Sequence, residues 1–253
     1  MKKLEEITLK VHSFESAGTV DGPGIRFVVF TQGCPLRCQY CHNPDTWKLA
    51  GGKTYTGAEI VKEVLKYKSF MTFSKGGVTF SGGEPLVQKE SLIPILKALK
   101  EEGIHTAIDT AGTTQIDAIT EELLEYVDLV LLDIKHIDKM AHKELTGMTN
   151  EKCFSFLNLL KKKQIRTWVR WVIVPSLNDT ESYAHQFAER LKGYDNIELV
   201  ELLPYHKAGV YKWKELGLAY PLENVKEPDK ELVEELSSVL ESSFIKTLYS
   251  GKK

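Results

Sequence analysis

"TQGCPLRCQYCHNPDTW", residues 31–47, puts Cys34, Cys38 and Cys41 within eight positions, while the fourth cysteine, Cys153, lies far along the chain. Such short spacing leaves little chain to close between sulfurs, so the thiols read as reduced ligands of an inorganic centre rather than as a disulfide framework. Zinc is one candidate, because His42 directly follows Cys41 and Cys₃His sites are common. Structural zinc sites usually draw on two separated knuckles, however, and here every candidate sits on one loop. An iron–sulfur cluster is the other candidate, since thiolates on short loops hold such clusters and commonly number four. Three thiolates leave one iron of a [4Fe–4S] cube without a protein ligand, and an open iron is a binding site.

Outward from this loop, the chain alternates between two periods. The loop follows the apolar, β-branched run "IRFVVFT" from Ile25, and similar runs start at Gly77 ("GVTFS"), His105 ("HTAIDT"), Val127 ("VDLVLLDIK"), Thr167 ("TWVRWVIV") and Ile197 ("IELVELLPY"). Helical patterns lie between them: one after Thr56, "KESLIPILKALKEEG" closing on Gly103, residues 120–126, one opening at Asn150, one at Asp179 or Thr180, and a last one in "EPDKELVEELSSVLESS". Strand then helix, about six times, predicts an α/β fold with a parallel sheet and outer crossover helices. The expected architecture is a partial, open (β/α)6-type barrel forming one domain over residues 1–253. Its cysteine loop falls at 33–43, and a C-terminal segment, 204–253, covers the barrel.

The balance of residues narrows the function. Of 253 residues, 42% are hydrophobic and 27% charged, with a formal net charge of -2, which argues against disorder and against a bulk nucleic-acid surface. "MKKLEEITLK" lacks the apolar run of a signal peptide, and no stretch approaches the roughly 20 apolar residues that span a bilayer. A cytoplasmic protein without membrane or nucleic-acid partners is expected.

Each strand run ends in polar chemistry, and in parallel α/β folds the carboxyl ends of strands carry the active site. In "SGGEP", Gly82 and Gly83 read either as a turn or as backbone able to approach a ligand closely, with Glu84 and Pro85 fixing the turn. Asp109 and Thr110 end the third run; Asp133 and Lys135 stand two apart on the fourth, on one side of the sheet. Ionisable groups in apolar strands need partners. Arg170 alternates with apolar neighbours and reads as a ligand-carboxylate partner or as half of a structural ion pair. His206 follows the last run, and Cys153, within a helical pattern, reads as a small buried hydrophobe.

The C-x₃-C-x₂-C spacing, with Tyr40 before the last cysteine, resembles the signature of the radical S-adenosylmethionine (SAM) superfamily. The resemblance implies that SAM chelates the open iron and that one electron cleaves it to methionine and a 5′-deoxyadenosyl radical. It further implies cofactor contacts from Tyr40, Cys41, His42, Asn43, Gly82, Gly83, Glu84, Asp133, Ile134, Lys135, Arg170 and His206, and a monovalent cation placed by Asp109, Thr110 and Asp133. "HSFESAGTVDGPGIR" at residues 12–26, "YCHNPDTW", "SGGEP", "LLDIK" and "ELLPYHKAGVYKW" resemble pyruvate formate-lyase activating enzymes, which install a glycyl radical on a partner. By that resemblance Asp21 and Gly22 of "DGPG", otherwise a simple turn, meet the substrate peptide; flavodoxin or ferredoxin donates the electron; and the enzyme is a monomer. Residues 42–76 contain no cysteine, so the ferredoxin-like insert of other activating enzymes is missing. The rival readings are a radical SAM enzyme for a small molecule, a zinc-binding module, and an aldolase with Lys135 as Schiff-base nucleophile.

Overall fold

The computed structural model describes residues 3–249. Within them the chain divides into two units: the first runs through Pro35 and resumes as Asp45–Leu131, and the second joins Leu36–Pro44 to the chain from Leu132 onward.

The first unit is built from β1 (Thr8–Gly18), β2 (Arg26–Thr31), β3 (Lys53–Thr56), α1 (Gly57–Leu65), α2 (Lys68–Ser74), β4 (Gly77–Gly82), α3 (Lys89–Glu101), β5 (Thr106–Thr110), α4 (Ala118–Leu123) and the start of β6 (Leu129–Asp133). Its strands are ordered β3-β1-β2-β4-β5-β6. β2, β4 and β5 pair in parallel, and β1 runs antiparallel to both β2 and β3. Nearly every residue of β2 and β4 is buried, as expected of parallel strands covered on both faces. Thr56 starts α1 with a capping box: its hydroxyl accepts from the Glu59 N–H, and the Glu59 carboxylate accepts from the Thr56 N–H at 2.7 Å. α3 buries Leu92, Ile95, Leu96 and Leu99, and Gly103 just beyond it has φ +73°, the left-handed conformation that glycine adopts cheaply.

The second unit contains the end of β6, α5 (Lys139–Thr146), α6 (Glu151–Lys162), β7 (Thr167–Ile173), α7 (Glu181–Leu191), β8 (Ile197–Pro204), α8 (Val210–Glu215), α9 (Lys230–Ser242) and β9 (Thr247–Tyr249). β7, β8 and β9 are consecutive and parallel. Thr180 caps α7 by accepting from the Tyr183 N–H. Asn150 precedes α6, but its side chain caps nothing; its amide donates instead to the His136 and Ile137 carbonyls at 3.1 and 2.8 Å. Those carbonyls outcompete the helix end.

All six expected strands are present, in a mixed α/β fold whose sheet is open. Outside the expectation fall β1, β3 and β9, and the short helices α2, α5 and α8. β1 is half-exposed and bulged, with register shifts at Val11/Ser13 and Glu15/Gly18 that blur its alternation. β3 and β9 have four and three residues, too few for a period to show. Among the described residues no helix is long and apolar enough to cross a membrane.

Candidate active site

In the first unit the cysteine loop leaves β2 and is fastened at both ends. The Gly33 N–H donates to the Thr46 carbonyl at 2.7 Å and the Cys34 N–H to the Trp47 carbonyl at 3.2 Å. The Gln32 amide spans the same return, donating to the carbonyls of Asp45 and Lys48 at 2.9 and 2.8 Å. From the neighbouring strand, the Gly83 N–H donates to the Thr31 carbonyl at 2.9 Å and the Glu84 N–H to the Gly33 carbonyl at 2.8 Å.

This contact gives the glycine pair a packing role. A Cβ on Gly82 would stand 2.5 Å from the Thr31 nitrogen, and one on Gly83 would stand 2.4 Å from the Gly33 oxygen. The space that the missing side chains free is filled by the backbone leading to Cys34. The N–H groups of Gly83 and Glu84 are spent there too, which leaves this turn its carbonyls to offer.

Glu84 is buried, and its carboxylate accepts from the Thr110 hydroxyl at 2.6 Å, the Ala111 N–H at 2.9 Å and the Leu86 N–H at 3.2 Å. Burial pushes the carboxyl up to about 7 against those hydrogen bonds. It ties the turn after β4 to the end of β5. Thr110 also accepts from the Gly112 N–H at 2.9 Å, and Asp109 accepts from the Ser81 hydroxyl at 2.7 Å. The carboxyl ends of β2, β4 and β5 are thus one hydrogen-bonded assembly.

Asp21 and Gly22 lie elsewhere in this unit, before β2 rather than after it. The Thr79 hydroxyl donates to the Asp21 carbonyl at 2.7 Å and accepts from Arg26 Nε at 2.9 Å, and Arg26, wholly buried, also donates to the Val78 carbonyl. Burial lowers the Arg26 guanidinium to about 10, which leaves it charged at neutral pH. The six residues of β2 span about 20 Å between this loop and the cysteine loop.

In the second unit, residues 36–44 bring Cys38 and Tyr40 against Lys135. Lys135 Nζ lies 2.8 Å from Asp133 Oδ2 and 5.7 Å from the centre of the Tyr40 ring. β6 ends at Asp133, so Lys135 stands beyond the strand, yet the two side chains share one side as their spacing predicts. Burial, the largest single influence, pulls the ammonium down, but Asp133, Tyr40 and Cys38 together outweigh it and hold the group well above its ordinary range. A Schiff-base lysine needs a neutral amine, so the aldolase reading loses its nucleophile. Burial pushes the Cys38 thiol up to about 12, with the Lys135 charge opposing; a metal that takes the thiolate reverses that preference. The Tyr40 hydroxyl is buried without a hydrogen-bond partner among the described residues, and burial raises it. An orphan of this kind costs about 1–3 kcal/mol, which a further bound polar group would relieve.

His42 Nε2 lies 2.9 Å from the His206 carbonyl, which can only accept, so Nε2 carries the proton; the two rings are 4.2 Å apart. Burial lowers the His42 imidazole, leaving it neutral at pH 7. Asn43 Oδ1 accepts from Lys212 Nζ at 2.8 Å. Ile134 is fully buried and donates its N–H to the Arg170 carbonyl at 3.0 Å. Arg170 Nε sits 3.0 Å from Glu201 Oε2, its register partner on β8, with both side chains about nine-tenths buried. This is the ion pair that one of its two readings expects. Cys153 is buried with its sulfur 3.7 Å from the Asp133 carbonyl, as a small core residue.

Sequence reasoning missed Gln32, Arg26 and Trp213, whose indole N–H donates to the Cys41 carbonyl at 2.8 Å. A tryptophan in a polar run was the available signal for the last, since a buried indole seeks an acceptor.

All four cysteines are thiols. Among the described residues no three His, Cys, Asp or Glu side chains are close enough to hold a metal ion. A cube spreads its thiolates over separate corners, so the donor set still fits a cluster.

The chain belongs to the Radical SAM superfamily, whose sequence model matches residues 28–188. Within it, the Escherichia coli (strain K12) protein named Pyruvate formate-lyase 1-activating enzyme is 45% identical over 241 residues, covering 95% of this chain and 98% of that one. The Clostridium pasteurianum Pyruvate formate-lyase-activating enzyme is 50% identical over 231 residues, 91% of this chain and 96% of its own. Among solved structures, a domain of the Bacteroides vulgatus pyruvate-formate lyase-activating enzyme aligns with TM-score 0.59 at 26% identity, over 70% of this chain and 99% of that one. A Sphaerobacter thermophilus radical SAM methyltransferase aligns over 99% of this chain and 75% of its own with TM-score 0.68 at 16% identity, a likeness of fold alone.

Proposed function

We propose that this chain activates pyruvate formate-lyase by installing a glycyl radical on it. The observation that carries the reading is 45–50% identity, over nine-tenths or more of the chain, to proteins named for that activity. Cys34, Cys38 and Cys41 would hold a [4Fe–4S] cluster, which with SAM would supply the radical chemistry that removes a hydrogen from the α-carbon of a partner's backbone glycine.

The chain's own residues serve that chemistry in three ways. Gly83, Glu84 and Gln32 hold the approach to Cys34. Lys135, kept charged by Asp133, favours the thiolate form of Cys38. Tyr40 presents a buried hydroxyl in need of a partner. Asp21 and Gly22 receive the peptide; since β2 separates them from the cysteine loop by about 20 Å, a peptide that engages both is extended over about six residues. The electron comes from a flavodoxin or ferredoxin, and the enzyme works as a cytoplasmic monomer.

The test incubates the anaerobically reconstituted protein with reductant, SAM and pyruvate formate-lyase, and looks for an organic radical by electron paramagnetic resonance. A radical on the partner is expected. SAM cleavage at the same rate with and without the partner, and no radical on it, sinks the assignment.

A further inference from the structure

Three consecutive residues of the cysteine loop, 41–43, are each gripped by the segment that follows β8. Trp213, the buried residue of α8, donates its indole N–H to the Cys41 carbonyl at 2.8 Å. The His206 carbonyl accepts from His42 Nε2, and Gly209 packs so closely that a Cβ there would stand 2.5 Å from His42 Cα. Lys212 Nζ, on the same helix as Trp213, lies 2.8 Å from Asn43 Oδ1. Trp213 is itself held: its ring meets the Tyr220 ring edge-on at 5.3 Å, and the Tyr220 hydroxyl pairs with that of buried Tyr205 at 2.9 Å.

We propose that Trp213 is a positioning residue for the third thiolate ligand, fixing through the Cys41 carbonyl the peptide from which the Cys41 side chain departs. This rests on the reading of Cys34, Cys38 and Cys41 as cluster ligands. An indole can only donate and a carbonyl can only accept, so this hydrogen bond has one sense and sets the plane of the Cys41–His42 peptide. Rotation of that plane turns the Cα–Cβ direction of Cys41 relative to the rest of the loop. A cube tied by four thiolates tolerates one poorly aimed ligand better than a cube tied by three. A donor acts as a fixed point only when its own ring is supported, and the Tyr220–Tyr205 pair provides that support.

Trp213→Phe keeps a ring against Tyr220 and removes the N–H. Trp168→Phe is the matched control, because that indole donates to exposed Glu198 at 2.8 Å, away from the cysteine loop. Each protein is reconstituted anaerobically with iron and sulfide and checked for folding by circular dichroism. Iron loss to a strong chelator is then followed. Trp213→Phe should lose iron roughly 10- to 100-fold faster than wild type, the usual effect of removing an outer partner of a metal ligand, and Trp168→Phe should match wild type. Reduced Trp213→Phe should also show a broadened cluster resonance. Wild-type iron retention in a folded Trp213→Phe overturns the proposal. Where Trp213→Phe does not fold, Gly209→Ala, which presses on His42 while leaving the indole in place, should speed iron loss, and wild-type retention there overturns it equally. A wild-type protein that assembles no cluster instead refutes the functional reading, and this proposal with it.

Discussion

Gly83→Ala should damage the protein without touching any ionisable group. A methyl at this position begins 2.4 Å from the Gly33 carbonyl oxygen, whereas ordinary contact starts at 3.4 Å, so the two strand ends must part by about 1 Å. The Gly33 backbone cannot easily give way, because its N–H is bonded to Thr46 at 2.7 Å and its carbonyl to the Glu84 N–H at 2.8 Å. Overpacking of this kind costs about 1–3 kcal/mol, and losing one or two of those hydrogen bonds adds about 0.5–1.5 kcal/mol each. The sum, about 1.5–6 kcal/mol, corresponds to a fall in Tm of about 3–24 °C for a chain of this size. The assay is thermal unfolding of the cluster-free protein, with Gly103→Ala as the comparison. A Cβ on Gly103 meets nothing within 4 Å, so only its left-handed backbone is penalised, by about 1–2 kcal/mol. A Gly83→Ala protein as stable as wild type, or no worse than Gly103→Ala, would refute the close-approach account of the glycine pair.

Glu84 should leave a signature in the pH dependence of stability. Its folded value of about 7 lies above the unfolded carboxylate range, so the native state keeps a proton that the unfolded chain releases, and stability should fall by about 3 kcal/mol as pH rises from about 4.5 to 7. Glu84→Gln should flatten that slope in denaturant titrations; an unchanged slope would assign it to another group. Arg170→Met should cost about 3–5 kcal/mol by stranding buried Glu201, and adding Glu201→Leu should restore most of it, with thermal melts as the measure. Failure of the double variant to recover would mean that Arg170 serves more than this ion pair. Asp21→Asn should lower glycyl-radical formation on the partner at least tenfold more than uncoupled SAM cleavage; equal losses in both assays would remove its peptide role.

The element pattern was legible because long β-branched runs and amphipathic runs differ in period, and six strands with their main crossover helices follow from that difference alone. The cysteine spacing likewise announced an inorganic centre on one loop. What only the tertiary structure decided is how each polar residue is used. Arg170 could be a ligand's partner or a structural ion, and its register opposite Glu201 on β8 is what supplies an ion pair. The glycine pair could face a ligand or a neighbouring chain, and the approach of the Gly33 backbone settled its packing. Glu84 is an ionisable group that local sequence places in a turn, yet three donors, from the end of β5, the residue after it and its own loop, enclose it. Trp213 had no readable task until the fold set its N–H beside Cys41 from a distance of more than 170 positions. Local periodicity is written in neighbouring residues, whereas hydrogen-bond partners are chosen by whichever distant backbone the fold delivers, and a single sequence does not display that choice.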